Sequence, residues 1–270
     1  MILTPCDCIG DWLSRFEYKY YPFHTQKVTA GTTFITREDD PRNAAQVRTP
    51  YWNLKHPQCM PLMKQTNSSN IWLLYNYGLI TLAYPFRYDE RVVPVTAVQS
   101  GLDANVIRET IFNTIDRGGE CKTLSFAQPL SDDEVKHRRL EYTKIKLRPT
   151  ADCRLKIQNI TNFSLYDPDM LFYGKFCGSE NFELAGDECF NNLGAPVLCG
   201  GLYVGFLGDD MPCRPRQYGR YFMYFRLDLA IPFVMINQAC KTVWLEKVFL
   251  LLLYLISFGN FFEHFKVKLL

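Results

Sequence analysis

The chain has almost no net charge to work with: 30 basic and 28 acidic side chains leave a formal charge of +2. That balance excludes a polycationic surface for nucleic acid, and no basic cluster interleaved with aromatics offers one locally. Lys136-His137-Arg138-Arg139 is too short and reads as a solvated loop. Histidine is scarce, with only His24, His56, His137 and His264. No Cys-x-x-Cys pair occurs, and Cys6-x-Cys8 has Asp7 as its sole nearby carboxylate. No metal site and no cofactor are therefore expected. Internal repeats and low-complexity tracts are absent. Residues 1–10 also lack a basic n-region, a sustained apolar h-region and a small-residue cleavage site.

Cysteine itself is abundant, with ten residues in 270. So many cysteines without zinc spacing suit a disulfide-bonded, secreted chain. Three Asn-x-Ser/Thr sequons, at Asn67, Asn159 and Asn162, agree with that route. An exported product then needs a signal upstream of Met1; otherwise the chain never meets an oxidant. Short runs such as Val28-Thr29-Ala30, Thr33-Phe34-Ile35-Thr36, 78–82 and 143–147 alternate with Gly, Pro, Asp and Asn. Many short strands between turn signals indicate an all-β sandwich or barrel. The segment 92–113 has few strand signals and reads as a link between two halves. Residues 248–262 form an uncharged apolar run of fifteen. As a helix it would span about 22 Å, short of a ~30 Å hydrocarbon core. A docked tail is preferred there over membrane association.

The stretch Asp187–Cys213, DECFNNLGAPVLCGGLYVGFLGDDMPC, carries the most information. Its frame Cys189-Phe190-Asn191-Asn192-Leu193-Gly194-Ala195-Pro196-Val197-Leu198-Cys199 resembles the nucleophile region of the chymotrypsin/trypsin-like serine protease family (peptidase S1). The family form is C-x-G-D-S-G-G-P-L-x-C. Both cysteines, one glycine and the proline keep their places, while Leu193 stands at the serine position. Leucine has no oxygen to attack a carbonyl. Ile2-Leu3-Thr4-Pro5-Cys6-Asp7-Cys8 is similar to the family's L-T-A-A-H-C, with Asp7 in place of the general-base histidine. Asn76-Tyr77-Gly78-Leu79-Ile80-Thr81-Leu82 matches the strand that begins with the orienting aspartate, so Asn76 stands there, or Tyr77 after a shift of one residue.

The resemblance covers roughly residues 1–237 and implies an all-β double antiparallel β-barrel of chymotrypsin type. Residues 1–105 would be a partial N-terminal barrel, its first strands falling before Met1. Residues 106–237 would be the C-terminal barrel, and 238–270 a hydrophobic helical tail. The family pattern implies bridges Cys121–Cys199, Cys153–Cys177 and Cys189–Cys213. Cys8 lacks its usual upstream partner, and the pairing of Cys6, Cys8, Cys59 and Cys240 stays open. The oxyanion-hole donors would be Asn191 and Leu193, and Asn192 replaces the aspartate that receives the new N-terminus on activation. Asp187 matches the carboxylate that binds a basic residue in trypsin, although a surface-loop aspartate is preferred. Phe222 would plug that pocket in the ungapped match; a small gap would put Gly219 there instead.

With catalytic serine, histidine and aspartate positions all replaced, the resemblance implies a non-catalytic homologue. It would act outside the cell by binding a protease, inhibitor or receptor, as a decoy, adaptor or cofactor, without nucleic acid. Two rivals stand beside it: a residual hydrolase with a relocated nucleophile, for which Cys6 is the one thiol considered, and a truncated, non-functional product.

Overall fold

Strand β1 (Ile2–Thr4) opens the chain, followed by β2 (Gly10–Trp12), β3 (Tyr18–Tyr20), β4 (Val28–Ala30) and β5 (Phe34–Thr36). Next come β6 (Gln46–Arg48), β7 (Pro50–Lys55), β8 (Met60–Pro61), β9 (Leu73–Leu74) and β10 (Gly78–Leu82). The computed structural model describes residues 1–31, 34–36, 46–62, 73–93, 104–126, 137–153, 173–180, 193–208 and 221–237. The chain divides into two compact units, Met1–Ala230 and Ile231–Leu270.

β10 is the centre of the N-terminal half, pairing antiparallel with β1 on one side and β7 on the other. Leu79 lies opposite both Leu3 and Leu54, and Leu79 and Ile80 are buried. β2–β3, β4–β6 and β8–β9 are separate two-stranded pairs. These short ribbons cannot bury a large core alone. A local cluster of Cys6, Trp12, Cys59 and Leu73 supports them, with Tyr18 packed against it. The Trp12 and Tyr18 rings meet edge-on at 5.1 Å. The Lys55 ammonium lies 5.0 Å from the Trp12 centroid and donates to the carbonyls of Cys59 (3.1 Å) and His56 (3.3 Å). Ring faces and carbonyl dipoles thus stand in for part of the water its charge loses on burial. Among the described residues this half is a set of small sheets around β10.

The second half is closed. β11 (Glu120–Phe126), β12 (His137–Arg148), β13 (Lys175–Glu180), β14 (Pro196–Cys199), β15 (Leu202–Leu207) and β16 (Tyr221–Arg226) run in the order β11-β14-β15-β16-β13-β12. Pairing of β12 with β11 completes a six-stranded antiparallel barrel. Pro196 is the first residue of its strand, where the missing N–H is tolerated. β14 and β15 are joined through Gly200 (φ 59°) and Gly201 (φ 84°), the left-handed pair that a two-residue hairpin turn demands. Phe176, Phe206, Tyr224 and Phe225 are all nearly inaccessible. Phe176 stacks on Tyr224 at 5.3 Å and Phe206 on Phe225 at 6.2 Å. β5, from the N-terminal half, pairs with the first residues of β12.

Two bridges named from the motif are present: Cys121–Cys199 ties β11 to β14, and Cys153–Cys177 ties a helical turn over 150–153 to β13. A third, Cys6–Cys59, joins two cysteines whose pairing was open. Cys189–Cys213 and Cys240 lie outside the described residues.

The segment read as a link carries a helix, Ala104–Asp116. Its apolar stripe is thin: Ile107 and Ile111, one turn apart, are the buried residues, and the helix packs on β15. Gly118 (φ 61°) ends it, and the Gly119 N–H returns to the Thr114 carbonyl at 2.8 Å. Of the second unit, 231–237 are described and helical, with Asn237 Nδ2 donating to the Phe233 carbonyl at 2.7 Å. The apolar run 248–262 lies outside the described residues. Among those described, no helix is long and apolar enough to cross a membrane.

Candidate functional site

A short 3-10 turn, Cys6–Cys8, follows β1 and presents Asp7. Three constraints hold it: the Cys6–Cys59 bridge, the Tyr18 hydroxyl donating to the Cys6 carbonyl at 2.5 Å, and Asn76. The Asn76 side chain is fully buried. Its Oδ1 accepts from the backbone N–H of Cys6 at 2.6 Å and, at the limit of a hydrogen bond, of Asp7 at 3.4 Å. Its Nδ2 donates to the Gly208 carbonyl at 2.5 Å. One amide therefore joins the turn at the head of the N-terminal half to the end of β15 in the barrel. Tyr77 points elsewhere: its hydroxyl donates to the Arg226 carbonyl at 2.7 Å, and its ring meets Phe206 and Phe225 edge-on. Of the two alternatives left by the sequence, Asn76 is the one that reaches the Asp7 turn.

Leu193 and Gly194 form the turn that enters β14. The Gly194 N–H donates to the Leu207 carbonyl at 2.7 Å, and its φ of 83° is one that L side chains rarely adopt. A Cβ built there would lie 3.2 Å from Pro5 Cδ, so this turn touches the residue just before Cys6. Asp7, Asn76 and Leu193 thus belong to adjoining segments, although 69 and 117 residues separate them along the chain (76 − 7 and 193 − 76). As a set they hold a carboxylate, a carboxamide and a hydrocarbon. None of the three is a nucleophilic hydroxyl, a thiol or an imidazole, the groups acyl transfer uses.

No protein-family model matches the sequence, and no curated protein matches it. Solved structures do. Scabies mite inactivated protease paralogue S-D1 superposes with a TM-score of 0.52 at 12% identity, covering 88% of this chain and 82% of that one. Neuropsin, a serine protease of mouse brain, gives a TM-score of 0.51 at 15% identity over 87% of this chain and 83% of its own. HL collagenase gives 0.52 at 16% identity, over 88% and 81%. The fold is that of the chymotrypsin-like serine proteases.

In this chymotrypsin-like fold the remaining named residues are distributed unevenly. Phe222 sits within β16 opposite Gly178 and is only 4% exposed, a wall residue of the barrel. Asp187, Gly219, Asn191, Asn192 and the sequons Asn67, Asn159 and Asn162 lie outside the described residues. Cys6, considered as a relocated nucleophile, is bridged to Cys59 and has no thiol to offer. Cys8 is the free cysteine of the described residues. Burial, reinforced by the Asp7 charge and opposed by a hydrogen bond with Thr4, pushes its thiol up to about 12. It is therefore protonated at neutral pH and a poor nucleophile. His56 stacks on Tyr75 at 5.1 Å, and its Nδ1 accepts the Gln58 N–H at 3.1 Å. Burial, then the neighbouring Lys55 charge, lowers its pKa and favours neutral imidazole. Among the described residues no group of three or more His, Cys, Asp and Glu could hold a metal ion.

Sequence reasoning missed the clamp role of Asn76. A polar residue two positions ahead of the apolar strand 78–82 was the available signal, since a buried amide requires partners on both its ends.

Proposed function

We propose that this chain is a non-catalytic protein of the chymotrypsin-like fold that acts extracellularly by binding other proteins. The observation that carries the reading is the Asn76 amide, fully buried and bonded to the Asp7 turn and to Gly208, with the Leu193–Gly194 turn against Pro5. At the positions that the sequence match assigns to the family's catalytic groups, Leu193 has no nucleophilic atom, and the Asp7 carboxylate lacks imidazole's two-sided proton relay. Such a framework, kept and cross-linked by disulfides, retains a surface without a reaction. Two structures of similar fold support this, since both are of inactivated proteases: scabies mite paralogue S-D1 and paralogue S-I1 (TM-score 0.50, 12% identity). The disulfides and the sequons Asn67, Asn159 and Asn162 favour an oxidising, extracellular setting, where a protease, inhibitor or receptor is the expected partner. The test is turnover. Purified protein incubated with fluorogenic amides carrying Arg, Phe or Ala is expected to release nothing above buffer, beside a trypsin control. Saturable hydrolysis blocked by a serine-directed inhibitor would overturn the reading.

A further inference from the structure

A groove of about 530 Å³ is lined by Val47, Arg48, Tyr84, Pro85, Phe86 and Arg87 among others, and Asp7, Asn76 and Leu193 are not in its lining. Its walls are built. The Ala83 N–H donates to the Thr49 carbonyl at 3.1 Å. Gln46 clasps the far side from both ends of its amide: Oε1 accepts the Arg87 N–H at 2.8 Å, and Nε2 donates to the Arg87 carbonyl at 2.6 Å. The Arg48 guanidinium is held between the walls. It donates to the carbonyls of Pro85 (3.1 Å) and Val47 (2.9 Å) and to Gln46 Oε1 (2.9 Å), and lies 5.4 Å from the Phe86 centroid.

Every one of those acceptors is neutral. Among the described residues no carboxylate pairs with Arg48 or Arg87, so a fixed cation and an exposed one share a groove whose other named walls are apolar or aromatic. Tyr84 stands 75% exposed at its margin. Arginine and tyrosine beside apolar surface is the composition of protein-binding hot spots, and guanidinium matches carboxylate in geometry as well as charge.

We propose that this groove docks an extended acidic segment of a partner protein. Its carboxylates would meet Arg48 and Arg87, and its apolar side chains would lie on Val47, Pro85 and Phe86. The inference deepens the protein-binding reading above and rests on it. Two arginines are too few for a sulfated glycan, which needs a denser basic array, whereas the apolar lining suits peptide side chains.

The experiment uses the full chain and a fluorescein-labelled peptide alternating Glu with Phe and Leu, read by anisotropy. A matched peptide carries Gln for every Glu. The expected result is saturable binding of the Glu peptide that weakens with salt. At least a roughly tenfold loss is expected for the Gln peptide and for Arg87→Glu, with a several-fold loss for Tyr84→Ala. Both side chains are exposed, so circular dichroism of either variant should match the parent. No saturable binding, equal binding of the Gln peptide, or indifference to Arg87→Glu overturns the proposal. A heparin oligosaccharide that binds more tightly and displaces the peptide assigns the groove to a glycan and overturns it as well. The turnover assay reports separately, so a failed groove and a failed non-catalytic reading cannot be confused.

Discussion

Replacing Asn76 by aspartate separates a structural amide from a catalytic carboxylate. The amide accepts from two backbone N–H groups through Oδ1 and donates to the Gly208 carbonyl through Nδ2. In Asn76→Asp the first two bonds survive and strengthen, since their acceptor becomes charged. The third becomes a carboxylate oxygen facing a carbonyl oxygen across 2.5 Å at a site with 0% exposure. Losing that donor inside the protein costs about 1–3 kcal/mol, and burying an uncompensated charge adds to it. Protonation restores the donor, so the folded carboxyl should titrate above its unfolded value near ~3.9. A group whose folded pKa is raised contributes stability that is fully present below the unfolded pKa. That contribution is lost as pH rises through the folded pKa, at ~1.4 kcal/mol for each pH unit between the unfolded and folded values. Asn76→Asp should therefore lie near the parent at pH 4 and fall behind it by pH 8. About 1–3 kcal/mol corresponds to several degrees in Tm for a protein of this size. Thermal unfolding followed by circular dichroism at both pH values measures it. A variant as stable as the parent at pH 8, or one that gains on the parent as pH rises, would refute this account of the clamp.

Other outcomes follow from the cysteines. With its thiol pushed up to about 12, Cys8 should resist iodoacetamide in native protein at pH 8 and react readily in urea, as peptide mass mapping would reveal. Its raised pKa also means that its contribution to stability is whole below pH 9 and declines as pH climbs through about 12, which urea titrations across that range would detect. Rapid native labelling of Cys8 would contradict both. The Cys6–Cys59 bridge spans 53 residues of sequence, for which loop-closure entropy suggests about 4 kcal/mol. Cys6→Ala/Cys59→Ala should lose up to that amount in denaturant unfolding, and an unchanged midpoint would refute the bridge.

Much of the barrel was legible because its signals are local. Short apolar runs such as 143–147 alternate with turn residues, and Cys189, Cys199 and Pro196 hold their places in a motif of fixed spacing. The helix Ala104–Asp116 was not legible, since Ile107 and Ile111 are its only buried residues and tertiary packing supplies the rest of its stability. Pairing of Cys6 with Cys59 depends on where the chain returns after β7, which no local pattern encodes. Asn76 and Tyr77 differ by one position in register. Only the geometry separates them, because adjacent residues there serve opposite ends: one bonds the Asp7 turn, the other the Arg226 carbonyl.

The central claim is that no activated nucleophile exists where this fold would hold one. Intact-mass spectrometry after incubation with excess fluorophosphonate tests it most directly, with trypsin as the positive control. The account predicts an unchanged mass for this chain while trypsin gains one adduct. A stoichiometric adduct, abolished when the protein is unfolded before exposure, would contradict it.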